Sequence, residues 1–307
     1  MSEASSKPSS PKSDFAWRQL FAWGAWQPVT GGGVARFADA SAVRVLTLQL
    51  VYSVMAAAVV LWSLRQAWFP AVSLALPRLP VAGAEVRSGR LSWPGTEAEL
   101  LSERPQLSLS VDPLGTGTAG RSGDVQVEFR QRGFRLEGLF GHQELPYPPD
   151  LDLPLDRTGA TAAWGAWSWA ILALTGLAVG AVVLVMGWLV ATLVALPLSA
   201  LAWMVGRVLS PGGAWRVGLA ASLTGWGCLG AGLMLYATAW IRLPGLAAAV
   251  LSQVLVVAIW CLWALAHLPR RGRAPKAANP FGADRGASEP RGGGGRAKRG
   301  GNPNPFR

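Results

Sequence analysis

Residues 45–64 read VLTLQLVYSVMAAAVVLWSL, twenty positions without one charged side chain. At about 1.5 Å per residue a helix over them is about 30 Å long, the thickness of a bilayer's hydrocarbon core. The segment is apolar on every face, so it reads as a membrane span. Arg44 precedes it, and Arg65, Trp68 and Pro70 follow as interfacial anchors and a stop. More than forty residues stand before the run and no small-residue cleavage site follows it, so it is expected to be a retained anchor.

Composition agrees with this reading. The 307-residue chain is 51% hydrophobic and only 15% charged, and it carries 16 tryptophans. The net charge of +11 would point to nucleic acid if spread over a folded surface, but it collects near the ends. Residues 1–44 form an N-terminal segment in which Asp14 is expected to cap an amphipathic helix running to about Trp26. Phe15, Trp17, Leu20, Phe21, Trp23 and Trp26 would lie on the membrane surface or against the bundle.

Beyond the first span (45–69), residues 70–160 change character. Between 71 and 160 lie 12 of the chain's 17 acidic residues against 9 basic ones. Leu107, Leu109 and Val111 alternate with serines, and Val125, Val127 and Phe129 alternate with Gln126, Glu128 and Arg130, the period of half-buried strands. Ser88-Gly89 fits a two-residue hairpin turn between 85–87 and 90–92, and a four-residue connection through Gly133 leads to a further apolar run at Phe134, Leu136 and Leu139. The proline-rich stretch from Leu145 to Pro154 is expected to run extended back to the membrane. These features predict a small antiparallel β domain. One face is apolar. The other, with Gln126, Glu128, Arg130, Arg135 and Glu137, is mixed in sign and suited to solvent or to polar contacts.

Residues 161–267 return to apolar helix. The 46 residues from 163 to 208 are twice the length of a span. Either one helix starts at Trp164, Trp167 and Trp169 and continues past Pro197, or two spans form a tight hairpin. A hairpin so poor in polar residues would leave backbone groups unsatisfied in lipid, which favours the single helix. Two further spans are read at about Val217 to Trp240 and Leu243 to His267. The tail, 268–307, is basic, glycine-rich and without apolar periodicity, so it is expected to be disordered. The fold class is therefore an α+β membrane protein: a helical bundle with a small antiparallel β domain, extracytoplasmic, inserted after the first span. Arg36 and Arg44, Arg207 and Arg216, and Arg270, Arg271 and Arg273 flank span ends. The preference of basic residues for the cytoplasmic side then gives four spans in a bacterial inner membrane with both termini cytoplasmic.

Gly176 and Gly180 form a small-xxx-small pair, and Ala221, Gly225, Cys228 and Gly232 share one helix face, so both sets are read as helix-packing positions. Transport of a charged solute is disfavoured, since no Asp or Glu occurs between Asp156 and Asp284. The gap in lysine from residue 13 to 275 removes a P-loop and a Schiff-base lysine, and His142 is the one histidine of the β domain. No cofactor, metal site or catalytic residue is assigned. Glu97, Glu99, Glu103, Asp112 and Glu144 leave a carboxylate hydrolase as an alternative, and Asp150, Asp152 and Asp156 lack the rest of a calcium loop.

In the tail, Asn279-Pro280-Phe281 and Asn304-Pro305-Phe306 are read as turn elements. Its basic residues suit anionic lipid headgroups, at about 1 kcal/mol each, better than nucleic acid. The order of features, with Gly213-Ala214-Trp215-Arg216 before a small-residue span, resembles an uncharacterised group of bacterial multi-pass membrane proteins of the domain-of-unknown-function kind, distantly Yip1-like. That resemblance implies an architecture and no activity. The functional expectation is a binding, scaffold or envelope-assembly role through the β domain, with the bilayer and an envelope protein as partners. Its possible partner surface is Leu107, Leu109, Val111, Val125, Val127 and Phe129. A transporter subunit for a neutral substrate is the other alternative.

Overall fold

The structure is a computed structural model that describes residues 28–117 and 123–271. The expected N-terminal amphipathic helix and the basic tail from residue 272 lie outside the described residues. A short helix α1 (Gly31–Ala35) and a 3-10 turn (Arg36–Asp39) lead into α2 (Ala42–Ala67). Further on come α4 (Arg157–Met204), α5 (Pro211–Ala237) and α6 (Leu243–His267). These four helices are long and apolar enough to cross a membrane. Caps set their starts: Ser41 accepts from the Arg44 amide, Asp156 from Gly159 and Ser210 from Gly213, with Pro211 in the first turn of α5. The 163–208 stretch belongs to one helix, which runs unbroken through Pro197.

Helix α5 is the centre of the bundle. Half of its most apolar window is buried within the protein, against 22%, 17% and 11% for α2, α4 and α6. Its small residues explain why. A Cβ on Gly218 would sit 3.3 Å from Ala191 of α4, and one on Gly225 would sit 2.8 Å from Val257 of α6. Helices α2 and α4 are joined by a buried amide: Gln49 donates to the Leu184 carbonyl (2.9 Å) and accepts from the Trp188 indole (2.8 Å). Arg216 donates to Ala38 and Arg207 to Leu268 at the end of the bundle that holds α1.

Past α2 the chain stays helical. Pro70, expected to stop it, lies in the first turn of a new helix α3 (Phe69–Ala75), where proline's missing N–H costs nothing. The β domain follows as two sheets. The smaller pairs β1 (Glu85–Arg87) with β2 (Arg90–Ser92) and β8 (Leu153–Pro154), and Ser88 and Gly89, both with positive φ, make its two-residue turn. The larger runs in the order β3 (Glu99–Ser102), β4 (Leu107–Val111), β5 (Val125–Arg130), β6 (Gly133–Gly138) and β7 (Gly141–Pro146).

Two expectations need correction. The larger sheet is mixed, because β4 and β5 pair in parallel, Leu107 opposite Val125 through Val111 opposite Phe129. A parallel pair needs a crossover, and the connection from residue 112 to 124 supplies it. The polar face is also less open than a half-buried strand predicts: Gln126 and Glu128, expected on a face suited to solvent or to polar contacts, are buried with Ser108, Ser110 and Asp112. Gly123, at the end of the 112–124 connection, packs against backbone at the start of β4, for a Cβ there would lie 2.9 Å from the Ser108 nitrogen. Some of the polar groups on that face pair: Gln126 donates to Ser110 (3.1 Å), and Arg130 bridges Glu128 (2.5 Å) and Glu144 (2.6 Å), while the Ser108 hydroxyl and the Gln126 side-chain oxygen have no partner among the described residues.

The β domain rests directly on the bundle. Gln106, just before β4, donates to the carbonyls of Tyr236 (3.1 Å) and Ala237 (3.5 Å) at the C-terminus of α5. Asp124, just before β5, accepts from the Leu243 amide (3.1 Å). Helix α6 has no side-chain cap of its own, so Asp124 provides one, while Arg242 returns a bond to the Pro105 carbonyl (3.3 Å). Orphan groups at two helix ends are thus satisfied by the sheet.

Candidate functional site

The apolar face of the larger sheet is covered from within the chain. Helix α3, the 3-10 turn Leu76–Arg78, the small sheet and the first turns of α4 form a second layer over it. Arg78 donates to the Leu100 carbonyl and Arg157 to that of Leu79, both at 3.3 Å, tying this layer to β3 and α4. The layer does not close. Between it and the sheet lies a cavity of about 410 Å3 with almost no polar atom on its walls. Leu109, Val111 and Phe129 form the sheet side. Val72, Ala75, Leu76 and Leu79 form the α3 side, and Ala160, Ala163, Trp164, Trp167 and Ile171 the α4 side.

Rigid aromatic side chains hold the cavity open. Phe69 and Trp164 meet edge to face with ring centroids 4.8 Å apart, fixing the start of α3 on α4. Arg65 stacks over Trp169, 5.5 Å from the ring centroid, just below. Trp167 and Ile171 also show on the outer surface of α4, so the cavity wall continues into the apolar outer face of a long helix.

The expected partner surface is therefore distributed. Leu109, Val111 and Phe129 line the cavity, while Leu107 is in the core beneath it with Val127 packed alongside. Val125 turns to the bundle, meeting a crevice with Leu64, Trp68, Tyr236 and Leu243. None of the six offers an open apolar face to a protein, because the premise of an uncovered sheet is not met. What stays open is the β7 edge, exposed along nearly its whole length.

Of the small residues, Gly225 and Gly232 face α6, where a Cβ on Gly232 would come within 2.5 Å of Ala249, and Ala221 is fully buried. Cys228 lies 3.6 Å from the Ser252 hydroxyl on the same contact. Gly176 faces Leu61 of α2, at 3.1 Å from a built Cβ, whereas Gly180 meets nothing within 4 Å. A second groove of about 390 Å3, floored by Ser222 and Trp226 of α5 between α4 and α6, opens along the bundle's side.

Three of the domain's carboxylates have structural partners. Burial pushes Asp112 up, but amides of Gly117, Thr116 and Gly115 and the Thr116 hydroxyl outweigh it and hold the carboxyl below the ordinary range. Glu144 is bound to Arg130, and Asp156 caps α4 with a carboxyl lowered by the Thr158 hydroxyl and the Gly159 amide. Among the described residues no three His, Cys, Asp or Glu side chains gather to hold a metal. Sequence reasoning missed Gln49, Gln106 and Asp124. A polar residue inside an apolar span, and a span starting at Arg242 without a Ser, Thr, Asp or Asn cap, are the signals that point to them. No family model, curated protein or solved structure matches the chain.

Proposed function

We propose that the chain is a membrane-embedded binding protein whose β domain, on the extracytoplasmic side of a bacterial inner membrane, holds an apolar chain of a membrane lipid or lipid-linked envelope molecule. The observation that carries this reading is the apolar cavity between the sheet, α3 and α4. The cavity is open on one side and its walls offer water almost no hydrogen-bond partner, so an apolar chain suits it better than solvent does. At roughly 30 Å3 per water-sized group the cavity takes about a dozen methylenes. Moving a chain from lipid to this cavity changes its surroundings little, since lipid tails are as apolar as leucine. Occupancy then follows from the high local concentration of chains, and the protein presents a lipid to the envelope side without extracting it against a steep gradient.

The orientation rests on Arg36, Arg44, Arg207 and Arg216, which lie at the bundle end away from the sheet, as cytoplasmic basic residues do. Both termini are then cytoplasmic, and the basic tail meets anionic headgroups there. The test is photolabelling in nanodiscs with a phospholipid carrying a diazirine in its acyl chain. Adducts on Leu109, Val111 or Phe129, reduced by the cavity-filling variant Ala163→Phe, are expected. Labelling confined to outward positions such as Leu174 and Leu177 would overturn the reading.

A second reading, an envelope protein added as a strand to the sheet, is favoured by the exposed β7 edge. A photo-crosslinker at Gln143 that yields one envelope-protein adduct, absent with the same group at Gln131, would support it. Diffuse or absent adducts would remove it.

A further inference from the structure

Two-residue hairpin turns ordinarily take Asn, Asp or Gly. The turn between β6 and β7 is Leu139-Phe140, flanked by Gly138 and Gly141, and Phe140 is 98% exposed and Leu139 42%. Register places this tip. Gln126 pairs with Glu137, so the next step sets Gly138 beside Val125, and Val125 sits against Trp68, Tyr236 and Leu243 at the helix ends. The tip extends one residue further, about 3.4 Å, in the direction of the bundle. It therefore reaches the level at which Gln106 and Asp124 touch α5 and α6. No side chain of the bundle covers Phe140, so the tip overhangs the space beside the helices. At the same level the α5–α6 connection exposes Trp240 by 82%, and Trp68, Trp167 and Trp169 are exposed on α2 and α4. Such a ring of aromatic side chains marks a membrane–water boundary.

We propose that the Leu139–Phe140 tip is a lipid contact, inserted among the headgroups and upper acyl carbons of the leaflet on the sheet side. It does not depend on the cavity's being occupied. The β domain then stands on two supports, one polar at the helix ends and one apolar in the lipid. The partner is a bilayer surface, because the tip's position relative to the helix ends is fixed by backbone register and needs no second protein.

The test uses the full chain in vesicles of phosphatidylethanolamine and phosphatidylglycerol, with Cys228→Ser and Cys261→Ala removing the native thiols. A spin label is placed by Phe140→Cys, and in a second protein by Gln131→Cys at the opposite end of β6. The ratio of oxygen to nickel-chelate accessibility is expected to be several-fold higher at 140 than at 131. Equal ratios would overturn the proposal, as would a tip shielded from both reagents, the mark of a protein contact. Should Phe140→Cys fail to fold, Leu139→Cys carries the same label at the same tip, and the Gln131→Cys protein reports whether the thiol-free background is intact.

Discussion

The centre of the bundle and the junction between α4 and the β domain are packed by opposite means. Along α5, glycine and alanine let backbones approach until an added Cβ would overlap its neighbour, as at Gly225 and Gly232. At the junction Phe69 and Trp164 meet edge to face, and the large side chains around them leave about 410 Å3 unfilled. Small residues close a contact because backbones can move together until they touch, whereas large rigid rings hold elements apart at the distance of the first good contact. The backbones along α5 are in close contact, and the junction keeps unfilled apolar space. The bundle's own side groove, of about 390 Å3, lies between α4, α5 and α6 and opens on the outside of the helices.

The largest expected effect breaks the tight region. Gly225→Leu drives a side chain into Val257 and Gln253 and is expected to cost about 3 kcal/mol or more, or to prevent assembly of α5 with α6. Gly180→Leu, where nothing lies within 4 Å, should leave thermal stability in detergent nearly unchanged. Equal sensitivity at the two positions would contradict the account of the bundle.

Next come the contacts that join the regions. Gln106→Ala and Asp124→Ala leave helix-end groups uncapped, and each is expected to cost about 1–2 kcal/mol. Hydrogen exchange should quicken from Thr238 to Leu246 while the middle of α5 keeps its protection. Gln49→Leu, which cuts the tie between α2 and α4, should cost about 1 kcal/mol, since hydrogen bonds within lipid measure little more than that. Its loosening should be confined to those two helices.

These targets show where the sequence was readable. The helix from Leu243 to His267 has the bounds its apolar run indicated, and the hairpin at Ser88-Gly89 and the strands around 107–111 and 125–130 stand where the sequence pattern put them, whereas the next strand starts at Gly133 after a two-residue turn and ends before Leu139, which lies in the following turn. Apolar length and period two are local properties, so they survive folding. Pairing direction is not local: nothing in Leu107 to Val111 or Val125 to Arg130 distinguishes a parallel neighbour from an antiparallel one, and burial of Gln126 and Glu128 likewise depends on what the rest of the chain brings to that face. Pro70 illustrates a different limit, since the same residue stops one helix and opens another. Cavity volume has no linear signature. The cavity's lining was partly legible as the apolar strand face, yet the shape that makes it a site depends on how Phe69 meets Trp164.

The smallest expected effect lies in the crossover, at Asp112. Its carboxylate accepts from the Gly117 amide at 2.7 Å and the Thr116 hydroxyl at 3.3 Å, where Gly115 and Gly117 take positive φ to wrap the loop around it. Burial alone would favour the protonated acid, but these donors favour the ion more, so the folded carboxyl is held below its ordinary value. The sign follows. A group more acidic in the folded than in the unfolded state stabilises the fold above the unfolded pKa, near 4, and that contribution fades as pH falls through the lower folded value. Asp112→Asn keeps the shape but turns an amide N–H toward donors or forfeits a charged acceptor, a loss of about 1 kcal/mol. At neutral pH the variant should therefore unfold earlier and exchange faster at residues 115–117. The gap from the native chain should be constant above about pH 5 and narrow below about pH 4 as the native carboxyl is protonated. A gap that widened with acid would show that Asp112 is held in its neutral form, and the loop would then need a different explanation.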